Sequence, residues 1–246
     1  QLPEHDMRVE LAALLYLRWA DFQEAEQEAI AAFDNADYKP ALPSLLHWRS
    51  WHALQPVELQ ALFSESLPHA LDQLNNSRQN SLATHLHRIA QAVRNLGRLS
   101  PRLLTSLIHW LADQPFETAN DRRVLLDAFD AILEKRRDKS YGDMRTPPAI
   151  ARFIVELAKP SAGERIYDPS FGSAELLTAA SDYVFRQEKE SFSRHGASLI
   201  DIIGIERNPN AYVIGLARLA LAGIQNPQLE LGNSLERIPL DNPQRD

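Results

Sequence analysis

Apolar side chains in the first half of the chain recur at the three- and four-residue spacing of a helix face. The clearest stretch comprises Val9, Ala12, Ala13, Tyr16, Leu17 and Ala20. The same spacing predicts further helices over residues 56–74, 79–96, 101–113 and 121–137. Pro56 and Pro101 suit first-turn positions, and Ser100 can cap the helix that follows it. The first half is therefore predicted to be α-helical.

The pattern changes near residue 148. An amphipathic helix is predicted first, because apolar side chains occupy positions i, i+3, i+4 and i+7 at Ile150, Phe153, Ile154 and Leu157. Strand-like runs then alternate with helical ones in "IYDPSFGSAELL" (166–177), "LIDIIGIERNPNAYVIGLARLALAGI" (199–224) and "QLELGNSLE" (228–236). This alternation predicts parallel strands joined by right-handed crossovers, and hence a doubly wound α/β sheet.

Composition places the boundary between the two patterns. Residues 1–140 contain one glycine, Gly97, whereas the rest of the chain contains eight, and all four tryptophans lie in the first half. The segment "EKRRDKSYGDMRTPP" (134–148) is charged and then carries a glycine and a proline pair, which is typical of a linker. We therefore predict a helical domain over residues 1–138, for DNA or partner contact, and an α/β domain over residues 139–246.

The rest of the composition excludes several classes of protein. The chain has no cysteine, which excludes disulfides and cysteine-bound zinc and favours a reducing compartment. It has no long apolar run and no secretion signal, so a cytoplasmic location is expected. A metal site is not predicted, because His85 and His87 are two residues apart and point to different sides of a helix. The chain begins at Gln1 rather than at Met, and we interpret it as a piece of a longer protein.

Charge is distributed unevenly along this acidic chain, whose net charge is −7. No acidic residue lies between Asp72 and Asp113, and this basic window contains Arg78, Arg88, Arg94, Arg98 and Arg102. A local excess of five positive charges is a candidate DNA-phosphate contact. A solvated helical face or a surface for a protein partner explains the same pattern, so both interpretations stay open.

Polar residues follow each predicted strand at the edge of the sheet where ligands of doubly wound folds bind. Asp168, Glu206 and Asn233 occupy these strand ends. A carboxylate after the second strand commonly binds ribose hydroxyls, and Asp168 can meet a cationic amino group. The helix predicted to begin near Ser173 offers free amides to a carboxylate. Together these groups describe S-adenosylmethionine, whereas a dinucleotide favours a loop with more glycines.

These strand ends carry motifs that resemble those of a known family. The cofactor loop of that family reads Asp-Pro-x-x-Gly-Ser-Gly, and "DPSFGSA" (168–174) stands in its place. The upstream Phe-Tyr-Thr-Pro motif is similar to "MRTP" (144–147), and "GIERNP" (204–209) and "GNSL" (232–235) match two later motifs. Over residues 140–236 the chain thus resembles the N6-adenine DNA methyltransferases, especially the modification subunits of type I restriction systems.

The resemblance implies a fold, a cofactor and a set of binding residues. The fold is a Rossmann-like, S-adenosylmethionine-dependent methyltransferase sheet that is truncated after its third strand. The implied partners are DNA and a specificity subunit or another subunit of the defence system. The implied cofactor-binding residues are Thr146, Pro147, Asp168, Pro169, Gly172, Ser173, Glu206, Arg207, Asn233 and Ser234.

The catalytic residues implied by the resemblance are absent from this chain. In the family an Asn-Pro-Pro-aromatic loop after the fourth strand holds the flipped adenine, whose amino nitrogen attacks the methyl group of the cofactor. That loop is expected beyond Asp246, and Asn242-Pro243 is not a convincing substitute because no apolar strand precedes it. Without a fourth strand beside it, the first strand is expected to be a bare edge.

Three departures from the family pattern concern the predicted cofactor site. Ala174 replaces a glycine, which is tolerable in the first turn of a helix and costly if the residue needs positive φ. Met144 and Arg145 replace an aromatic pair, and Asn233 replaces an aspartate. The alternative function is therefore a non-catalytic scaffold, in which a methyltransferase-like fold serves assembly or DNA placement.

Overall fold

The computed structural model describes residues 7–74, 81–135, 145–188 and 200–236. Helices of the first half are Arg8–Phe33 (α1), Trp48–Trp51 (α2), Pro56–Ala61 (α3), Leu67–Gln73 (α4), Ser81–Leu96 (α5), Pro101–Ala112 (α6) and Ala119–Lys135 (α7). The second half contains Pro148–Ala158 (α8), Arg165–Asp168 (β1), Glu175–Gln187 (α9), Asp201–Glu206 (β2), Pro209–Leu221 (α10) and Gln228–Leu231 (β3). Within these ranges no helix is long and apolar enough to cross a membrane.

The predicted helices are confirmed, with differences at some of their ends and in the interior of one of them. The helix predicted over residues 56–74 is interrupted by a π-helical segment at Leu62–Ser66. Pro56 and Pro101 lie in the first turn of their helices, and the Ser100 side chain accepts a hydrogen bond from the Leu103 amide at 3.4 Å. The boundary predicted at residues 138/139 lies outside the described residues.

The three strands form a parallel sheet in the order β1-β2-β3. Asp168 pairs with Gly204, and Glu206 pairs with Leu231. All three strands therefore end at the same edge of the sheet, as the alternation of strands and helices predicts. Each crossover helix begins within a few residues of this edge, which brings the two turns and the segment after β3 together.

The helical half and the sheet share one apolar core. Helix α1 packs along α10, and buried residues of both helices belong to the same cluster. The His85 ring lies between the two, with its Nδ1 3.2 Å from the Tyr16 hydroxyl and its ring against that of Tyr212. Tyr212 in turn donates to the backbone oxygen of Leu229 in β3, at 3.3 Å. Two hydrogen bonds and one ring contact among buried side chains thus connect α1 to the sheet.

One face of the second half remains uncovered. Helix α8 packs on α9, yet its apolar stripe is exposed at Ile150 (49%), Phe153 (57%), Ile154 (43%) and Leu157 (68%). Strand β1 pairs only with β2 among the described residues, and Tyr167 on it is 40% exposed. The amphipathic pattern of α8 is thus confirmed, but its apolar face does not pack against the described part of the chain.

Burial of His85 predicts an acid-sensitive core. Burial lowers the pKa of His85 to about 4 from its ordinary value of 6.5. The unfolded chain therefore binds a proton near pH 6.5 that the folded chain takes up only near pH 4. The free energy of unfolding should be at its full value above pH 6.5, where His85 is neutral in both states. It should decrease by roughly 3 kcal/mol as the pH falls to 4.

The measurement is urea unfolding of wild type, His85→Gln and His69→Gln between pH 4 and pH 7. A glutamine at position 85 can still accept from Tyr16, so His85→Gln should lose most of this pH dependence. His69 is exposed and serves as the control, which should keep the wild-type slope. Equal slopes for His85→Gln and wild type would contradict a buried, neutral His85.

Candidate functional site

The carboxylate of Glu206 connects the ends of the first two strands. Glu206 ends β2 and is buried, with 8% of its surface exposed. Its Oε2 accepts from the Gly172 amide at 2.9 Å, and its Oε1 accepts from the Asn208 amide at 2.7 Å. One side chain thus fixes the turn before α9 and the start of α10. Each oxygen keeps a further lone pair for a ligand hydroxyl.

The turn after β1 has a left-handed backbone at two positions. Gly172 has φ +54°, and Ala174 has φ +65° and ψ +27° as the N-cap of α9. The Ala174 amide donates to the Phe171 oxygen at 2.7 Å, and the Phe171 amide donates to Ile205 of β2 at 3.2 Å. Ala174 therefore needs positive φ, which is the costly one of the two alternatives, and the helix begins at Glu175 rather than near Ser173.

Helix α10 approaches the turn too closely for a side chain at Gly215. A Cβ there would lie 2.8 Å from the Gly172 oxygen and 2.9 Å from the Phe171 ring. A glycine at this position lets the helix pack directly on the turn, which fixes the distance between the first two strand ends.

Asp168 presents a partly free carboxylate at the end of β1. Its Oδ1 accepts from the Ser170 amide at 2.9 Å, while Oδ2 has no hydrogen-bond partner among the described residues. Partial burial raises the pKa of Asp168 above its ordinary value, opposed by the Ser170 amide and reinforced by the nearby charge of Glu206. The carboxylate is thus available for a cation and gains from meeting one.

The end of β3 completes this edge of the sheet. The Gly232 amide donates to the backbone oxygen of Glu206 at 2.9 Å. Asn233 Oδ1 accepts from the Leu235 amide at 3.2 Å, and its Nδ2 donates to Glu236 at 2.8 Å. The Asn233 side chain therefore stabilises its own turn and keeps one lone pair on Oδ1.

A cleft of about 290 Å³ lies between the three strand ends. It is lined by Pro169, Ser170, Glu206, Arg207, Asn208, Gly232, Asn233, Ser234 and Leu235. The structure thus brings together five of the residues predicted from the motifs: Pro169, Glu206, Arg207, Asn233 and Ser234. Asp168 and Gly172 belong to the adjoining turn. Thr146 and Pro147 precede α8 and do not line the cleft.

Ser173 belongs to a charge cluster behind the turn rather than to the cleft. It is buried, and its hydroxyl donates to Glu175 Oε2 at 2.7 Å and lies 3.1 Å from Arg145 Nε. Arg218 Nη2 lies 3.2 Å from Glu175 Oε1 and 2.5 Å from Asp130 Oδ1, which is on α7. Two arginines and two carboxylates therefore balance each other where α7, α9 and α10 meet.

The two carboxylates of the cluster have shifted pKa values of opposite sign. Burial alone would raise the pKa of Glu175, but Arg218, Ser173 and Arg145 outweigh it, so this pKa lies below its ordinary value. Burial raises the pKa of Asp130, and the attraction of Arg218 offsets only part of that rise. Glu175 is therefore the carboxylate that the two arginines hold most firmly in its charged form.

The basic window does not form one uniform surface. Arg94 pairs with Asp72 at 2.9 Å, so its charge is neutralised by the acid at the border of the window. Arg88 is half-buried, and its Nε has no hydrogen-bond partner among the described residues. Arg98 and Arg102 are exposed. Arg78 lies outside the described residues. Of the four predicted arginines that the structure describes, Arg98 and Arg102 are therefore the two available to a phosphate.

Sequence reasoning missed two groups of residues at this site. The first is Asn208, which lines the cleft and caps α10, its Oδ1 accepting from the amides of Asn210 and Ala211. The sequence offered a signal for it, because an Asn before a Pro is a recognisable helix start. The charge cluster had no local signal, because Arg145 and Glu175 are 30 residues apart and Arg218 and Asp130 are 88 apart. The spacing of residues along the chain does not reveal such pairs.

Comparison with known families agrees with the geometry of this edge. A family model described as N-6 DNA Methylase matches residues 120–244, which is just over half of the chain. The chain therefore belongs to the N-6 DNA methylase family. The family predicted from the motifs is confirmed.

Curated relatives match nearly all of this chain but only part of their own length. The methylase subunit of the type I restriction enzyme EcoEI from Escherichia coli is 26% identical, over 93% of this chain and 47% of the relative. The StySJI methylase subunit from Salmonella typhimurium is 25% identical, over 92% of this chain and 42% of the relative. The chain thus spans about half the length of the curated relatives it matches.

Solved structures resemble the fold over nearly the whole chain. A structure described for complex assembly and conformational transition of the type I R-M system aligns with a TM-score of 0.73 and 26% identity, over 95% of this chain and 47% of its own. The methyltransferase subunit of a type I restriction-modification system from Streptococcus thermophilus aligns with a TM-score of 0.51, over 98% of this chain and 54% of its own. Its identity is 18%, so this likeness concerns the fold alone.

The left-handed conformation of Ala174 predicts an unusual response to glycine. Replacing alanine with glycine destabilises a protein at ordinary helix positions. At a position with positive φ, the same replacement removes strain of about 1–2 kcal/mol. Ala174→Gly should therefore leave the free energy of unfolding unchanged or raise it by up to about 1 kcal/mol, measured by urea unfolding. The control is Ala180→Gly, at a buried alanine within α9, which should lose about 1 kcal/mol or more. Equal losses in the two variants would mean that Ala174 is not strained.

Proposed function

We propose that this chain carries the S-adenosylmethionine-binding half of a DNA adenine-N6 methyltransferase from a type I restriction-modification system. The observation that carries the proposal is the cleft at the carboxyl ends of three parallel strands, lined by Glu206 and Asn233 and adjoined by Asp168. In doubly wound sheets this edge is where ligands bind. Membership of the N-6 DNA methylase family supports the same cofactor and the same reaction.

The donor and acceptor groups at the cleft fit S-adenosylmethionine. Each Glu206 oxygen has one lone pair left after its backbone bond, which matches the two hydroxyls of a ribose. The free Oδ2 of Asp168 suits the ammonium group of the methionine part, and Arg207 at the rim suits its carboxylate. The remaining lone pair of Asn233 Oδ1 can accept from the adenine amino group.

The cofactor, when bound, supplies an electrophilic methyl group on a positively charged sulfur. The residues of this chain bind and orient it, and Asp168 also places a negative charge near the cation. By the family resemblance, an Asn-Pro-Pro-aromatic loop holds the target adenine, and residues 1–246 contain no such motif. Positioning of both reactants contributes much of the rate of such a transfer. Residues 1–246 alone are therefore expected to transfer no methyl group.

The exposed apolar surface of the second half supports the interpretation as half of a larger sheet. The stripe at Phe153 and Leu157 of α8 and the edge at Tyr167 of β1 lie on apolar elements that a continuing sheet would cover. A fourth strand beside β1 would satisfy the open backbone groups of that edge. We propose that β1 pairs with this strand in the whole protein.

DNA and further subunits of a type I system are the proposed partners. The relatives are methylase subunits of type I restriction enzymes, and one aligned structure concerns the assembly of such a system. Arg98 and Arg102 are exposed near the start of α6, and we propose that, among the described arginines of the basic window, these two contact phosphates. Arg94 contributes less, because Asp72 neutralises it.

The alternative is a methyltransferase-like scaffold that binds no cofactor. It is favoured by the left-handed alanine of the turn and by an arginine where the family has an aromatic residue. Binding of S-adenosylmethionine separates the two hypotheses, because a scaffold needs no measurable affinity.

The cofactor proposal predicts that Asp168→Asn changes affinity and stability in opposite directions. Loss of the carboxylate should weaken S-adenosylmethionine binding by about 1–3 kcal/mol in calorimetry. The raised pKa of Asp168 means that folding disfavours its charged form. The variant should therefore unfold at a higher temperature than wild type at pH 7, and the difference should vanish once the pH falls below the ordinary range of an aspartate.

The control is Asp201→Asn, at an exposed acid on the opposite end of β2, which should leave the affinity unchanged. The full-length protein is the sample for calorimetry. Absence of binding by the full-length wild type would rule out the enzyme and leave the scaffold.

The DNA proposal predicts a change that does not depend on DNA sequence. Replacing Arg98 and Arg102 with Ala should weaken binding to all duplexes alike, measured by fluorescence anisotropy across salt concentrations. The log–log salt slope should fall by about one for each lost phosphate contact. Arg186→Ala on α9, outside the basic window, is the control and should not change the slope. An unchanged slope together with loss of a protein partner would assign the surface to assembly.

A further inference from the structure

Arg145 binds the two residues on either side of Ala174. Its Nε lies 3.1 Å from Ser173 Oγ and 2.6 Å from Glu175 Oε1, and its Nη2 also pairs with Glu175 Oε1. The side chains of Arg145 and Glu175 are 13% and 6% exposed, so these contacts are shielded from water. A single guanidinium thus connects the segment before α8 to the residues that precede and follow the strained turn position.

The turn needs such support because Ala174 adopts a conformation that alanine disfavours. At φ +65° its Cβ crowds the following backbone, a strain that glycine would not have. Residues keep such conformations only where their surroundings hold them firmly. Ser173 and Glu175 are held through their side chains, while the Ala174 amide is bound by the Phe171 oxygen at 2.7 Å.

We propose that Arg145 is a positioning residue that holds the cofactor turn in its left-handed form. The consequence for cofactor affinity rests on the proposed function, whereas the effect on the turn itself does not. Gly172 is two residues before Ala174, and its amide binds Glu206. A relaxed turn would therefore also release the carboxylate that lines the cleft.

Arginine suits this role better than lysine. The guanidinium presents Nε and Nη2 at fixed angles, so it can bind Ser173 and Glu175 together, whereas an ammonium acts as a point charge. Arg218 also contacts Glu175 and pairs with Asp130 of α7. It can keep Glu175 charged when Arg145 is replaced, but it makes no hydrogen bond to Ser173 among the described residues, so it cannot replace the connection across Ala174.

The test is a double-mutant cycle between position 145 and position 174 in the full-length protein. Arg145→Gln should weaken S-adenosylmethionine binding about tenfold, because the turn relaxes. In the Ala174→Gly background, where the turn is no longer strained, the same substitution should cost less than threefold. The affinity of Arg145→Lys for S-adenosylmethionine should lie between those of wild type and Arg145→Gln. The control is Arg123→Gln, which removes an exposed pair between α7 and α9 and should leave the affinity unchanged.

A second readout does not require the cofactor. Amide hydrogen exchange of the peptide that spans residues 169–178 should accelerate at least tenfold in Arg145→Gln and return toward wild type when Ala174→Gly is added. The proposal would be overturned if Arg145→Gln weakened binding equally in both backgrounds and accelerated amide exchange equally in both. If the wild type binds no S-adenosylmethionine, the proposed function fails, and the exchange cycle still decides whether Arg145 holds the turn. If Arg145→Gln does not fold, Arg145→Lys with and without Ala174→Gly provides the same comparison.

Discussion

The carboxylate of Glu206 is the contact on which the arrangement of the site depends. The two carboxylate oxygens accept from the amides of Gly172 and Asn208. The backbone oxygen of the same residue accepts from the amide of Gly232. One residue at the end of the middle strand thus sets the positions of all three strand ends. A buried carboxylate needs hydrogen-bond donors to offset its loss of water, and backbone amides of two turns supply them. The cleft exists because these turns are held apart at fixed distances.

The departures of this chain from its family are connected in the structure. The sequence has Ala174 where the family loop has glycine, and Arg145 where the upstream motif has an aromatic residue. The first change strains the turn, and the second provides a guanidinium that contacts both neighbours of the strained residue. Seen along the chain they look like two independent losses. In the fold Arg145 contacts Ser173 and Glu175, the residues on either side of Ala174, and we propose that these contacts offset the strain.

The sequence predicts most of the fold and part of the site, for reasons that are local. Helices and strands follow from periodicity, and Asp168, Glu206 and Asn233 follow from the rule that ligands meet strand ends. Side-chain pairing over long separations has no such rule. The cluster around Glu175 was therefore not predictable, and neither was the pairing of Arg94 that removes it from a basic surface. The conformation of Ala174 was foreseen only as one of two alternatives.

We propose that the three strand ends form one S-adenosylmethionine site. Amide hydrogen exchange of the full-length protein with and without S-adenosylmethionine tests it most directly. With one shared site, the cofactor should slow exchange together at residues 169–174, 206–209 and 232–235, with little change in the helices of the first half. Protection at only one of these segments, or at none of them, would contradict a shared site at this edge of the sheet.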